Sequence, residues 1–358
     1  MRWIDLDGCR ALLVNNELFT AVPNPTYNPV GVPGSLERYF RAANVDGEAI
    51  LDIIEMHEIQ PEYHNREDRV AALDAQGVDL AWLLPSLGFG LEEMLLDDPE
   101  ALYAVFRAYN TWLDEDWGYD RDGRIQTGPM ISLVEPAEAE ADMRLAIDRG
   151  ARFVTFRPAP VDVPGTPRSP GDPVHDRVWG MAAEAGVIIA IHAADSGYAK
   201  YLKNWGEGNR YRDLFASSLP EVMSLNYERP IFDMMAAIIC HGVFDRHPAL
   251  RVATLELGAG WVPYLLKRLG KSYGKTPQLF GRDPVESFRE HVWVTPFYED
   301  DVREVCDALG VDRVLLGSDW PHPEGLSEPR AWLPDFSSLT RTEQRLCLRE
   351  NLQLLSGR

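Results

Sequence analysis

Cysteine is scarce in this chain: Cys9, Cys240, Cys306 and Cys347 lie far apart among 358 residues, with no CxxC pair. That spacing argues against a disulfide framework and a cysteine-built zinc site, and it fits a reducing cytoplasm. No apolar run approaches the ~18 residues of a membrane-spanning helix. Asp5 and Asp7 interrupt the N-terminus where a secretory signal would carry its apolar core. Basic residues are few, 35 against 56 acidic, for a net charge of −21. Such a surface repels phosphate backbones, which argues against nucleic acid as a partner. There is no internal repeat and no low-complexity segment. What remains is a hydrophobic content of 45%, enough for a sizeable core in one large domain or two ordinary ones.

Residues 1–77 read as irregular. Arg2–Asp7 and Arg10–Leu18 form the arms of a predicted hairpin turning at Asp7-Gly8. Prolines at 23, 25, 29 and 33 mark an extended loop, Ser35–Ala43 reads as a short helix, and Arg66–Gln76 as a better one. From residue 78 a rhythm begins. Apolar strand candidates lie near 78–85, 125–132, 152–157, 187–192, 251–256, 292–296 and 314–318. Helical patterns fill the gaps: Pro99–Tyr119, Pro136–Arg149, His175–Ala185, Phe232–Arg246, Trp261–Tyr273, Asp300–Leu309 and Arg341–Leu355. Glycines at 150 and 186, just past helical patterns, are ordinary C-terminal stops. Alternating strands and helices predict an α/β fold with parallel strands, residues 78–358 forming a distorted (β/α)8 barrel. Only seven strands are counted. Either residues 1–77 hide the eighth or the chain starts after it. The stretch 195–229 follows a strand end and is rich in aromatics (Tyr198, Tyr201, Trp205, Tyr211, Phe215, Tyr227), as a lid over a pocket would be.

Three strand ends finish on a metal ligand or proton carrier: His192 in VIIAIHAAD, Glu256 in VATLELGAGW, and Asp319 in RVLLGSDWPHP. Histidine plus carboxylates from separate strand ends is how a hydrolytic zinc or manganese site is built. Taken singly, His192 also reads as a packing residue and Glu256 as the partner of a nearby cation. A buried acid such as Asp319 needs a reason to be there.

The whole from Glu67 onward resembles the amidohydrolase-related enzymes grouped with aminocarboxymuconate-semialdehyde decarboxylase. The marks are GVDLAWLLPS (77–86), AYNTWL (108–113), IIAIHAAD (188–195), GVFDRHPALRVATLELGAGWVPYLLKRL (242–269) and GSDWPHPEG (317–325), the last two specific as a pair. The resemblance implies a distorted β/α barrel with one divalent metal, often zinc. It also implies hydrolysis or non-oxidative decarboxylation of a small, often aromatic or unsaturated acid. By position, His192 resembles the metal ligand of the fifth strand and Asp319 that of the eighth. Where the decarboxylases carry a sixth-strand histidine stands Leu257, which leaves Glu256 as ligand, base or orienter of water. The His-x-His pair of the first strand is absent. The chain is therefore read as shortened at its start, with metal binding weakened or lost; Asp5-x-Asp7 would share a strand face and is a poor substitute.

Arg157, ending the fourth strand, would clamp a substrate carboxylate or pair with a structural acid. His322 would touch substrate or cap a turn. Trp82, Phe89 and Trp320 would wall an apolar pocket or simply pack. His175, His241 and His247 read as structural, and His57 and His64 approach the pocket mouth only if their loop folds back. The leading expectation is a metal-dependent hydrolase or decarboxylase, with His192, Asp319 and Glu256 around zinc or manganese and Asp319 or Glu256 moving the proton. Two others stand beside it: a metal-independent lactonase-like hydrolase with Asp319 as base, and a barrel that has lost catalysis and binds a ligand or partner. The expected partner is a small molecule, and relatives of this kind are often homodimers.

Overall fold

The computed structural model describes residues 1–6, 9–22, 24–41, 47–48, 50–163, 166–206 and 228–357. Its centre is a parallel sheet of β8 (Phe153–Phe156), β9 (Ile188–His192), β10 (Val252–Leu255) and β11 (Val292–Val294), in the order β11-β10-β9-β8. β8, β9 and β10 are buried along their whole length, as strands covered on both faces must be. Side chains alternate along them. Ile188 and Ala190 pack inward with Phe153, Ala253, Leu255 and Leu315, while Ile189 and Ile191 join the larger cluster that includes Val178, Trp179 and Leu265 from the surrounding helices.

Two further strands continue the arc. β6 (Ala81–Leu83) runs parallel to β7 (Ile125–Thr127), and a parallel bridge from Met130 to Thr155 carries β7's continuation onto β8. At the other end, Val314 bridges Val294 in parallel and Leu315 N–H donates to Val294 O at 2.9 Å. The predicted strand at 314–318 is thus reduced to its first residues. Together these make seven consecutive positions of a distorted β/α barrel. Among the described residues no eighth strand pairs between β6 and Val314.

Residues 1–77 do not hide that strand among their described part. β1 (Arg2–Leu6), β2 (Cys9–Val14) and β3 (Glu17–Leu18) form an antiparallel meander, and β4 (Val30–Gly31) pairs antiparallel with β5 (Met56–His57). The expected second hairpin arm breaks at Asn15-Asn16, both left-handed (φ 50° and 62°), which asparagine tolerates and most residues do not. The turn at Asp7-Gly8, and with it half of Asp5-x-Asp7, lies outside the described residues. The short predicted helix is Glu37–Phe40; residues 42 and 43 lie outside the description.

The other helices follow the sequence reading with local breaks. Pro99–Trp112 ends in a wider π turn (Leu113–Trp117) at Gly118, and Glu228–Cys240 is separated from Val243–Arg246 by left-handed Gly242. The C-terminal helix is likewise interrupted at Leu346–Glu350. Its last turn holds the strand leading to Asp319: buried Asn351 Nδ2 donates to Val311 O and Val314 O, each at 2.8 Å. Asn351→Ala removes both bonds, leaving Val311 O only the Cys347 Sγ contact at 3.5 Å, and is expected to destabilise the protein by about 2 kcal/mol, read from urea denaturation midpoints. A loss under about 0.5 kcal/mol would show that the strand needs no such tie. Among the described residues, no helix is long and apolar enough to cross a membrane.

Candidate active site

The register of the sheet delivers the first pair. His192 lies level with Leu255 across β9 and β10, so Glu256 emerges one residue further on, at the C-terminal edge. His192 shares the inward face of Ile188 and Ala190, is 6% exposed, and its Nε2 lies 2.6 Å from Glu256 Oε2. Glu256 adopts φ 56°, a conformation that costs a side-chain-bearing residue roughly 1–3 kcal/mol. The turn behind it is braced by two half-buried acids. Asp300 Oδ2 accepts from Ala259 N at 2.8 Å and Phe297 N at 2.7 Å, and Glu228 accepts from the Gly260 and Trp261 backbone. Gly258 must be glycine, because φ is 63° and a Cβ there would meet the Phe297 ring at 2.7 Å.

Asp319 is presented by a closed loop. Leu326 N–H donates to Ser318 O at 3.0 Å and His322 N–H to Asp319 O at 2.8 Å. Gly325 lies so close that a Cβ would stand 2.7 Å from Asp319 O. Asp319 shares the strained conformation of Glu256, with φ 54°. The loop also brings in His322, whose Nδ1 lies 3.4 Å from Asp319 Oδ1 and 3.6 Å from Glu324 Oε1, while its Nε2 meets Ser86 Oγ at 3.3 Å. Burial holds the Asp319 carboxyl well above the usual carboxylate range, with the charges of Glu256 and Glu324 adding to it and His322 opposing. Burial by itself would pull His322 down, but Asp319, Glu324 and Glu256 outweigh it and push the imidazole up to about 10.

Ligand atoms of Glu256, Asp319, His322 and Glu324 all lie within 4.8 Å of one another. The three carboxylates converging so closely repel one another; His322 offsets part of that repulsion, and a divalent cation would relieve it. The donor set fits such an ion. It is oxygen-rich, closer to the preference of manganese than to the nitrogen and sulfur preference of zinc. His192 is outside this foursome and joins it through Glu256, a place where it can orient or share a proton with that carboxylate.

All of these line a cavity of about 1660 Å³, wider than the roughly 300–1,000 Å³ of ordinary small-molecule sites. Trp82, Phe89 and Trp320 form part of its wall. The N-terminal segment supplies much of the rest, from Thr26, Tyr27, Val30, Tyr39, Ile54 and Met56. It is strapped to the Asp319 loop: Leu36 N–H donates to Pro323 O at 2.9 Å, and Gly34 N–H to His322 O at 3.4 Å. Its loop does fold back, so His64 lines the cavity, while His57 pairs with Val30 in the β4–β5 ladder. The described part of the expected lid is the helix Ala199–Lys203, with Ala199 on the cavity wall. Tyr211, Phe215 and Tyr227 lie outside the described residues.

Arg157 requires a correction. It does not line the cavity. Its guanidinium is held by Glu93 at 2.7 Å, Glu92 at 3.3 Å and Asp195 O at 2.9 Å, with Lys200 reaching the same Glu93 at 2.7 Å. Two carboxylates already neutralise it inside the fold, which is the second of the two roles expected of it, pairing with structural acids. The four residues that sequence reasoning passed over are Glu324, Ser86, Glu299 and Arg69. Glu324 stood in plain view in HPEG, two residues beyond a histidine already singled out. Glu299, pushed up to about 7 by burial with Asp300 adding, carries no motif signal.

Comparison with known proteins agrees with this picture. A family model described as Amidohydrolase matches residues 54–351. Gamma-resorcylate decarboxylase of Rhodococcus jostii (strain RHA1) is 27% identical over 125 residues, 33% of this chain and 37% of that protein. The chain spans about a third of the length of the curated relatives it matches. The crystal structure of an amidohydrolase from Mycobacterium avium subsp. paratuberculosis K-10 superposes with a TM-score of 0.94 at 40% identity, covering 99% of this chain and 91% of that one. A dihydroxybenzoic acid decarboxylase from Polaromonas sp. JS666, solved with manganese and 2-nitroresorcinol, gives a TM-score of 0.64 at 16% identity, covering 82% and 86%, a likeness of fold.

Proposed function

The chain belongs to the amidohydrolase family, and from that premise we propose that it is a metal-dependent enzyme acting on a small organic acid. Non-oxidative decarboxylation of an aromatic acid is the reading the site supports best, with hydrolysis the neighbouring alternative. The observation that carries it is the convergence of Glu256, Asp319, His322 and Glu324 at strand ends inside an aromatic-walled cavity. Those four would hold the ion, and manganese suits them better than zinc. The manganese in the Polaromonas relative supports that choice. When bound, the ion supplies Lewis acidity toward a substrate oxygen.

The chain's own groups account for the rest. Loss of carbon dioxide leaves an electron pair on carbon, and that carbon must receive a proton. Asp319, at the cavity edge with the His322 imidazole 3.4 Å away, is the donor best placed to deliver it. Glu256, bonded to His192, is a second proton site at the same edge. Trp82, Phe89 and Trp320 present flat faces that suit an aromatic ring and keep water away from the carbanion.

The test uses 2,6-dihydroxybenzoate as probe substrate. Protein stripped with a chelator should be inactive, and adding back manganese should restore carbon dioxide release, zinc doing so less well. Turnover indifferent to chelation would overturn the metal dependence and favour Asp319 acting alone on water. No turnover across a panel of aromatic acids, lactones and amides would overturn the enzymatic reading.

A further inference from the structure

An acidic substrate entering this cavity meets acids: Glu256, Asp319, Glu324, Glu299, Asp300 and Glu228 all line it. Among the described residues lining it, Arg69 is the only lysine or arginine. Arg69 sits in the first turn of the helix Arg66–Gln76, which Asn65 caps by accepting from Glu67 N and Asp68 N. It is 5% exposed. Its Nε donates to Glu62 O at 2.6 Å, and its guanidinium lies over the Trp320 ring at 4.7 Å and the Trp117 ring at 5.9 Å. The Arg157 side chain has two carboxylates beside it, whereas no ion pair holds Arg69 among the described residues. Burial lowers its pKa to about 10, which still leaves it charged at neutral pH.

Glu62 is the nearby carboxylate that favours the charge, but it makes no ion pair with it; a desolvated cation without a paired carboxylate is costly, and it is retained where a ligand completes it. Trp320 follows Asp319 directly, so the ring on which Arg69 stacks is anchored to the reacting loop. Resting on the reading of the site as one for a small organic acid, we propose that Arg69 is the residue that recognises an anionic group of the substrate. Its guanidinium, 4.7 Å from the Trp320 ring centre, meets a carboxylate, and the aromatic wall takes the ring attached to it. Arg69 thereby sets the preference for acids over neutral analogues in a cavity whose other charges favour cations.

The test compares binding of 2-hydroxybenzoate and phenol to the full chain loaded with manganese, followed by tryptophan fluorescence. Wild-type protein should bind the acid at least ~10–100-fold more tightly than the phenol, the range for one charge-assisted pair. Arg69→Met should lose that preference with phenol affinity unchanged, and Arg69→Lys should recover part of it. Circular dichroism and the phenol affinity report whether the variants are folded. Should Arg69→Met prove unfolded, the lysine variant decides: a changed acid-to-phenol ratio supports the assignment and an unchanged one overturns it. A wild-type protein that binds both probes equally, or an Arg69→Met that keeps the preference, overturns the assignment even if metal-dependent turnover is seen. A clear Arg69-dependent preference without turnover would leave the assignment standing and remove the catalytic reading instead.

Discussion

Asp319→Asn is expected to lower turnover by about 10³-fold or more while leaving the fold intact, because it removes a proton carrier and a charged ligand together. The substitution is unusually clean at this position. Asparagine is nearly isosteric with aspartate and is among the few residues at ease at φ 54°. It also removes a carboxyl that burial and neighbouring charge hold well above its ordinary range. A carboxyl whose folded pKa is raised contributes fully to stability below its unfolded pKa, and that contribution is lost as pH rises through the folded value. In metal-free protein at neutral pH the variant should therefore be at least as stable as wild type, and it should lose less stability as pH rises above the ordinary carboxylate range. Metal content, thermal midpoint and turnover, measured together, check the result. A variant that keeps a tenth of wild-type turnover would move the proton transfer elsewhere, with Glu256 the first candidate.

Arg157→Met should do the opposite, harming the fold more than the chemistry. Glu92 and Glu93, with side chains 10% and 3% exposed, would be left buried beside nothing but Lys200, Ser132 and each other. Breaking a buried pair by deleting one partner costs about 3–5 kcal/mol. Burial pushes the Glu92 carboxyl up, with Arg157 and the Ser132 hydrogen bond opposing, so losing the guanidinium would raise it further. Chemical denaturation should show the loss, and Arg157→Lys should restore part of it. If stability were instead unchanged and only the KM for carboxylate substrates rose, Arg157 would be a substrate clamp after all.

These two residues also show what could be read from the chain alone. Asp319 was legible because a buried apolar run ended on an acid between turn residues, and few structural roles explain that. Arg157 ended a strand in the same way. Its partners, however, come from Leu91–Leu95, a short helix whose sequence, LEEML, gives no sign that both glutamates face inward. The parallel strands were visible because strands covered on both faces are continuous runs of Val, Ile, Leu and Phe. The wall built by residues 22–59 was not, since two-residue strands and proline-rich loops carry no periodicity to detect. Arg69 was hidden for a related reason. Within a helix of mostly polar residues, nothing local marks one charged side chain as buried.

That wall has a bearing on how such proteins diversify. The reacting groups ride on β9, β10 and the loop after Val314, whereas the surface that meets the far side of a substrate is largely the least regular part of the chain. Labour is divided between a conservative floor and an improvisable rim. Changes in the loops of the first sixty residues would reshape what is admitted without touching the strand ends, while buried Leu12, Val14, Phe19 and Leu36 keep that segment tied to the fold.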